Sequence, residues 1–170
     1  MRTNNRWLAL AGAALFSVAS TSAVADDDPV LVPIQRLTLD YAVTAAQAAI
    51  KACRDQGMNI TVAVVDRGGT LQVLLRDTLA MPISAPIAEQ KAYAALNFNS
   101  PTSEMADRFT SPFSPGKLPG IIISAGAVPI TAAGNIVGAI GVSGAPSGEV
   151  DEACAKAGLE AIGDDLEMAL

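Results

Sequence analysis

Arg76 and Lys91 are the side chains best suited to hold a carboxylate, since Arg offers a planar fork of donors and Lys a mobile point charge. Each also has a plainer use as a solvated charge or as an ion pair with Asp77 or Glu89. A second feature is the segment Gly141-Val142-Ser143-Gly144-Ala145-Pro146-Ser147-Gly148, which runs into a helical pattern. Amides around Ser143, Gly144 and Ser147, with the positive end of the helix dipole, form a place for an anion. The plainer alternative is that Ser147 caps the helix and the glycines make a tight turn. The segment lacks the lysine of a P-loop, and its leading strand belongs to a hairpin pattern, so nucleotide binding is not supported. Asp66 precedes Arg67-Gly68-Gly69, where an Asp ordinarily accepts from amides two residues on. No second carboxylate pairs with it, so it is not read as a catalytic acid.

The composition removes whole classes of chemistry. The 170 residues include no histidine, which excludes a Ser-His-Asp triad, a histidine zinc site, a His general base and a proximal-histidine haem. Cys53 and Cys154, the two cysteines, are too few for an all-cysteine zinc or iron–sulfur site within one chain. No catalytic residue is assigned. The formal charge of −6, with no run of Lys or Arg, argues against a nucleic-acid partner.

Arg2 and Arg6 flank a polar start, an apolar run extends from Trp7 to Ala19, and Ala23-Val24-Ala25 is an A-x-A cleavage signature. Residues 1–25 read as a secretory signal peptide. The apolar run would span roughly 20 Å as a helix, short of the ~30 Å hydrocarbon core, so no membrane span is expected. The expected location is periplasmic or secreted, an oxidising setting for both cysteines. Residues 26–36 read as a mobile lead-in and residues 37–170 as a single domain.

Within the domain, Thr38 is placed to cap a helix with Ala42, Ala46, Ala49 and Cys53 on one stripe and Gly57 to end it. Ile60–Val65 and Leu71–Leu75 read as a hairpin turned by Asp66–Thr70. Ser84 is placed to cap a second helix running to Phe98, with Pro86 in its first turn. Residues Asn99–Pro119 carry Pro101, Pro112, Pro115 and Pro119 and read as irregular, apart from a short helical stretch between Thr102 and Arg108. Ile121–Ile123, Val128–Thr131 and Ile136–Val142 read as strands, Pro129 requiring an edge or bulge. A last helix opens at Ser147-Gly148-Glu149, with Val150, Cys154, Ala157 and Ala161 on one stripe. The expectation is an α/β single-domain sandwich, a mainly antiparallel five-stranded sheet with packed helices.

Val62–Gly69 followed by Arg76-Asp77, then Lys91-Ala92, then Gly138–Gly144 and Asp151–Gly158 together resemble the GlcG/HbpS-like family over residues 37–163. The resemblance implies a profilin-like sandwich, assembly into homo-oligomers, and binding of haem or a corrinoid-related molecule in some members. Some relatives are exported haem-binding proteins, and others are domains attached to cobalamin adenosyltransferases. A haem held here would need an axial ligand other than histidine. Met81, in the connection Thr78–Pro82 beside the Arg76 and Lys91 motifs, is the candidate; its alternative is to fill a gap as an adaptable apolar group. Met105, Tyr93, Thr78 and Thr102 are weaker candidates. The resemblance also makes the helices carrying Cys53 and Cys154 neighbours, so a disulfide closing roughly 100 residues is sterically reasonable, the alternative being two buried thiols.

The expected function is therefore an exported protein that binds haem or a related tetrapyrrole, with Arg76 and Lys91 orienting its propionates. Two alternatives stand beside it: a binding or sensing module for a small organic acid at Ser143–Ser147, and an enzyme acting on a small carbonyl or acid compound through Tyr93, Lys91 or Asp66.

Overall fold

A computed structural model describes residues 30–105 and 107–169. The expected leader, residues 1–25, lies outside them, as do residues 26–29 of the lead-in. The chain from Pro33 onward forms one unit by itself.

Its elements are α1 (Leu39–Arg54), β1 (Thr61–Asp66), β2 (Leu71–Arg76), α2 (Ser84–Phe98), short 3₁₀ turns at Thr102–Met105 and Pro115–Lys117, β3 (Ala127–Ala132), β4 (Asn135–Ser143), α3 (Gly148–Glu160) and α4 (Gly163–Met168). The hairpin between β1 and β2 is built as its residues require. Asp66 Oδ1 accepts from the amides of Gly68 at 2.8 Å and Thr70 at 3.0 Å, and Gly69 takes φ +82°, a conformation open to glycine at no steric cost.

All neighbouring strands are antiparallel, in the order β2-β1-β4-β3. The sheet thus has four strands rather than the expected five. Ile121–Ile123 are half-buried but join no ladder. The Ile121 amide donates instead to the Leu118 carbonyl, and Ile123 packs on the turn at Gly116, so local turn contacts take what a ladder would have used. Pro129 sits in β3, which ends the sheet, as a residue without an N–H must.

The period-2 alternation of β1 splits the core into two layers. Val62 and Val64, with Ile140 and Val142 across from them, face the Ala stripe of α1 together with Cys53 and Cys154. Val65 and Ala139 face Ala92, Ala95 and Leu96 of α2. The small-residue composition has a direct structural use: a Cβ on Gly141 would lie 2.3 Å from the Ala88 carbonyl oxygen. Helix α2 therefore rests on β4 backbone to backbone. On the other face α1 packs against α3, and Cys53 and Cys154 are joined by a disulfide with Cα atoms 5.7 Å apart.

Two helix starts differ from expectation. Ser84 is the first residue of α2, with Ile83 at the N-cap, because its hydroxyl is committed elsewhere. It donates to the Met81 carbonyl and accepts from the Thr61 hydroxyl, both at 2.6 Å. Thr38 occupies the N-cap of α1 but makes no side-chain capping bond, whereas Ser147 caps α3 by accepting from the Val150 amide.

Candidate functional site

The connection from β2 to α2 is braced from beneath. Arg76 Nη1 donates to the Ala80 carbonyl at 2.5 Å. Asp77 is buried and accepts from Arg54 Nε at 2.6 Å and Nη2 at 2.8 Å, and from the Thr78 amide at 2.8 Å. The bonds from Arg54 hold the Asp77 carboxyl below the usual carboxylate range, against the effect of desolvation. With its backbone so fixed, the connection turns Leu79, Met81 and Ile83 outward, 78%, 59% and 60% exposed.

The same face of the sheet continues this apolar surface. Leu74 pairs with Ala63 and Leu71 with Val65, which puts both on the side of α2, yet both remain exposed because α2 lies mainly over β1 and β4. Tyr93, on the outer side of α2, lies over Gly69 of the hairpin. Arg76 stands at the end of this surface; its Nη1 also donates to the Asp77 carbonyl at 3.4 Å, which leaves the Nε and Nη2 donors without a hydrogen bond among the described residues.

Lys91 is elsewhere. It is 4% exposed, with Nζ 3.0 Å from Asp151 Oδ2 and 3.2 Å from the Val142 carbonyl oxygen. Its counter-ion is thus Asp151, not Asp77 or Glu89. The other Asp151 oxygen accepts from the Ala145 amide at 2.9 Å, so the anion that the glycine-rich segment receives is a carboxylate of the chain itself. Burial pushes the Asp151 carboxyl up, while the Ala145 amide and Lys91 oppose that shift. Ser143 is buried at the end of β4, Gly144 takes φ +127°, and Ser147 serves as the cap of α3. The two groups of expected site residues are therefore separated by environment. Arg76 and Met81 lie at a surface, while Lys91, Ser143 and Gly144 surround a buried ion pair.

The weaker candidates are also placed. Met105 and Thr102 are wholly buried, the Thr102 hydroxyl accepting from the Ala127 amide at 2.9 Å. Thr78 is exposed beside Met81, and Asp66 pairs with Arg36 at 3.1 Å. Among the described residues no group of three or more His, Cys, Asp or Glu side chains is gathered to hold a metal.

Sequence reasoning missed Asp151, whose only local signal is its place in the first turn of a helix, where an acid is commonplace. It also missed a cavity of about 440 Å³ formed by residues 35–41, the β3–β4 hairpin and the C-terminal helix, with Leu37, Tyr41, Val137, Asp165 and Leu166 in its wall.

Comparison with known proteins adds the following. A family model described as haem degrading protein HbpS-like matches residues 37–160. The crystal structure of a double mutant of Streptomyces reticuli HbpS is 42% identical, with a TM-score of 0.74, and the match covers 84% of this chain and 97% of that one. Klebsiella pneumoniae ORFY is 27% identical, TM-score 0.75, over 79% of this chain and 96% of its own. The structure of a PduOC:heme complex is 24% identical, TM-score 0.69, over 75% and 95%, a likeness of fold. An uncharacterized 15.0 kDa protein of Citrobacter freundii, in the dhaT-dhaS intergenic region, is 32% identical over 65% of this chain and 82% of that protein.

Proposed function

Because the chain belongs to the HbpS-like family, we propose that it is an exported protein, assembled from copies of itself, that binds haem or a related tetrapyrrole on the surface between β2 and the start of α2. The observation that carries this reading is the outward display of Leu79, Met81 and Ile83 by a connection whose backbone is anchored by Arg76, Asp77 and Ser84. Displaying three large apolar side chains on a rigid loop suits a flat apolar ligand, whose burial is worth about 25 cal/mol per Å² before the costs of association.

The residues there fit a haem in kind. Leu71, Leu74 and Ile83 would cover the macrocycle, Arg76 would receive a propionate through its free donors, and Met81 would offer a thioether to the iron. Haem would bring iron redox chemistry; the chain's part is to hold, orient and shield it. Two likenesses support the ligand class: the family description and a similar scaffold solved with heme. Lys91 does not share in the contact, because opening the Asp151 pair would leave a buried charge without a partner. Export is supported by the A-x-A signature after the apolar run, and assembly by membership of the HbpS-like family.

Titration of haemin into the purified chain tests the reading. A saturable Soret shift is expected, and a flat titration overturns it. Native mass spectrometry of protein recovered from its own secretory compartment reads cleavage after Ala25, subunit number and retained cofactor together.

A further inference from the structure

A cavity on the α1 side of the sheet shares no residue with the surface just described, and its chemistry is different. Its volume of about 440 Å³ falls within the range of small-molecule sites, roughly 300–1,000 Å³. Leu37, Val137 and Leu166 give it apolar walls, and Tyr41 and Asp165 bring an aromatic ring and a carboxylate to the same space. The two are close enough for the Asp165 charge to raise the Tyr41 phenol above its ordinary value, so the hydroxyl stays protonated and neutral beside the acid. Arg36, also in the wall, is occupied by Asp66 at 3.1 Å. Among the described residues Asp165 enters no ion pair. Among the described residues the cavity wall thus carries one carboxylate without an ion-pair partner beside a tyrosine, a combination that favours an organic cation through direct Coulomb attraction, with the ring available for cation–π contact.

We propose that this cavity binds a small amphipathic amine, its ammonium held between the Asp165 carboxylate and the Tyr41 ring and its apolar body against Leu37, Val137 and Leu166. A carboxylate of the same shape would be rejected, since Asp165 would repel it and Arg36 is already paired.

The chain has two tyrosines, so ring-labelled tyrosine in the full chain, with Tyr93→Phe as an otherwise unaltered background, leaves Tyr41 as the reporter. Titration with 2-phenylethylamine is expected to move the Tyr41 ring resonances saturably. Asp165→Asn, whose fold is checked by its amide spectrum, is expected to weaken binding ten-fold or more, and phenylacetate is expected to leave Tyr41 unmoved. An unmoved Tyr41, an equal response to phenylacetate, or less than a ten-fold loss in Asp165→Asn overturns the proposal. Haemin titration of Asp165→Asn is expected to match the parent protein, so failure here and failure of the haem reading are told apart.

Discussion

Lys91 Nζ and Asp151 Oδ2 lie 3.0 Å apart with their side chains 4% and 5% exposed, and this ion pair links α2 to α3 past the end of β4. Removing one partner strands a charge in the interior, whereas removing both need cost little. Lys91→Met or Asp151→Ala is expected to lose about 3–5 kcal/mol of stability, with the double variant Lys91→Met/Asp151→Leu recovering most of it. Urea unfolding checks this; additive losses in the double variant would show that the pair is not coupled.

Two carboxylates should give the acid limb of stability opposite slopes. Asp77 is held below its ordinary pKa by Arg54, so its contribution is present above the unfolded value and lost as pH falls through the folded one. Asp151 is raised by burial, so the folded chain holds that proton more tightly, and its contribution declines as pH rises from the unfolded to the folded value. Thermal melts from the acid range upward are expected to show a flatter pH dependence for Asp77→Asn and a steeper one for Asp151→Asn. Parallel curves for the two variants would contradict the assignment.

The disulfide joins residues 101 positions apart, and constraint of a loop near that length is worth up to ~4.7 kcal/mol in the chain-entropy model. The Cys53→Ala/Cys154→Ala variant, or the parent under reductant, is expected to unfold with about 3–5 kcal/mol less stability. An unchanged denaturation midpoint would mean that the bridge adds nothing to the packing of α1 on α3.

At Gly141 the issue is contact between backbones. An added Cβ meets the Ala88 oxygen at 2.3 Å and the Ala92 nitrogen at 2.7 Å, and backbone atoms cannot swing aside as a side-chain tip can. Gly141→Val is expected to lose more than about 3 kcal/mol or to fail to fold. A variant within about 1 kcal/mol of the parent by circular-dichroism melting would show that α2 can lift off the sheet at little cost.

For the surface proposed to hold haem, Arg76→Ala is expected to weaken haemin binding by roughly ten-fold or more, the worth of a charge-assisted hydrogen bond of about 1.5–3 kcal/mol. Met81→Leu keeps the apolar volume and removes the sulfur. If the thioether ligates iron, the Soret position changes while affinity falls only modestly. A spectrum identical to the parent's would assign the axial position to another group.

Much of the fold is local in origin and was legible for that reason. The α1 stripe ending in Cys53, the Asp66 turn with Gly69 behind it, the strand run of β1 and the Ser147 cap each depend on residues a few positions apart, where periodicity and turn chemistry act directly. In the last helix the expected stripe of Val150, Cys154, Ala157 and Ala161 is corrected: Cys154 is buried, but its buried neighbours are Asp151, Glu152, Ala155 and Gly158, because the disulfide and the Lys91 ion pair turn that face inward. Ile121–Ile123 misled because β-branched residues describe a suitable strand, not the presence of a neighbour to pair with. The helix Gly163–Met168 carries no buried residue and so no periodic signature.

What tertiary structure alone decided is which groups meet. Lys91 and Asp151 are 60 residues apart, and only the docking of α2 and α3 around β4 makes them partners. The same docking turned a segment suited to an outside anion into the seat of an internal one. The cavity behind Tyr41 likewise arises from three pieces of chain distant in sequence. Residue type states what a side chain can bind; its burial and its neighbours, set by long-range packing, determine whether it remains available to a ligand.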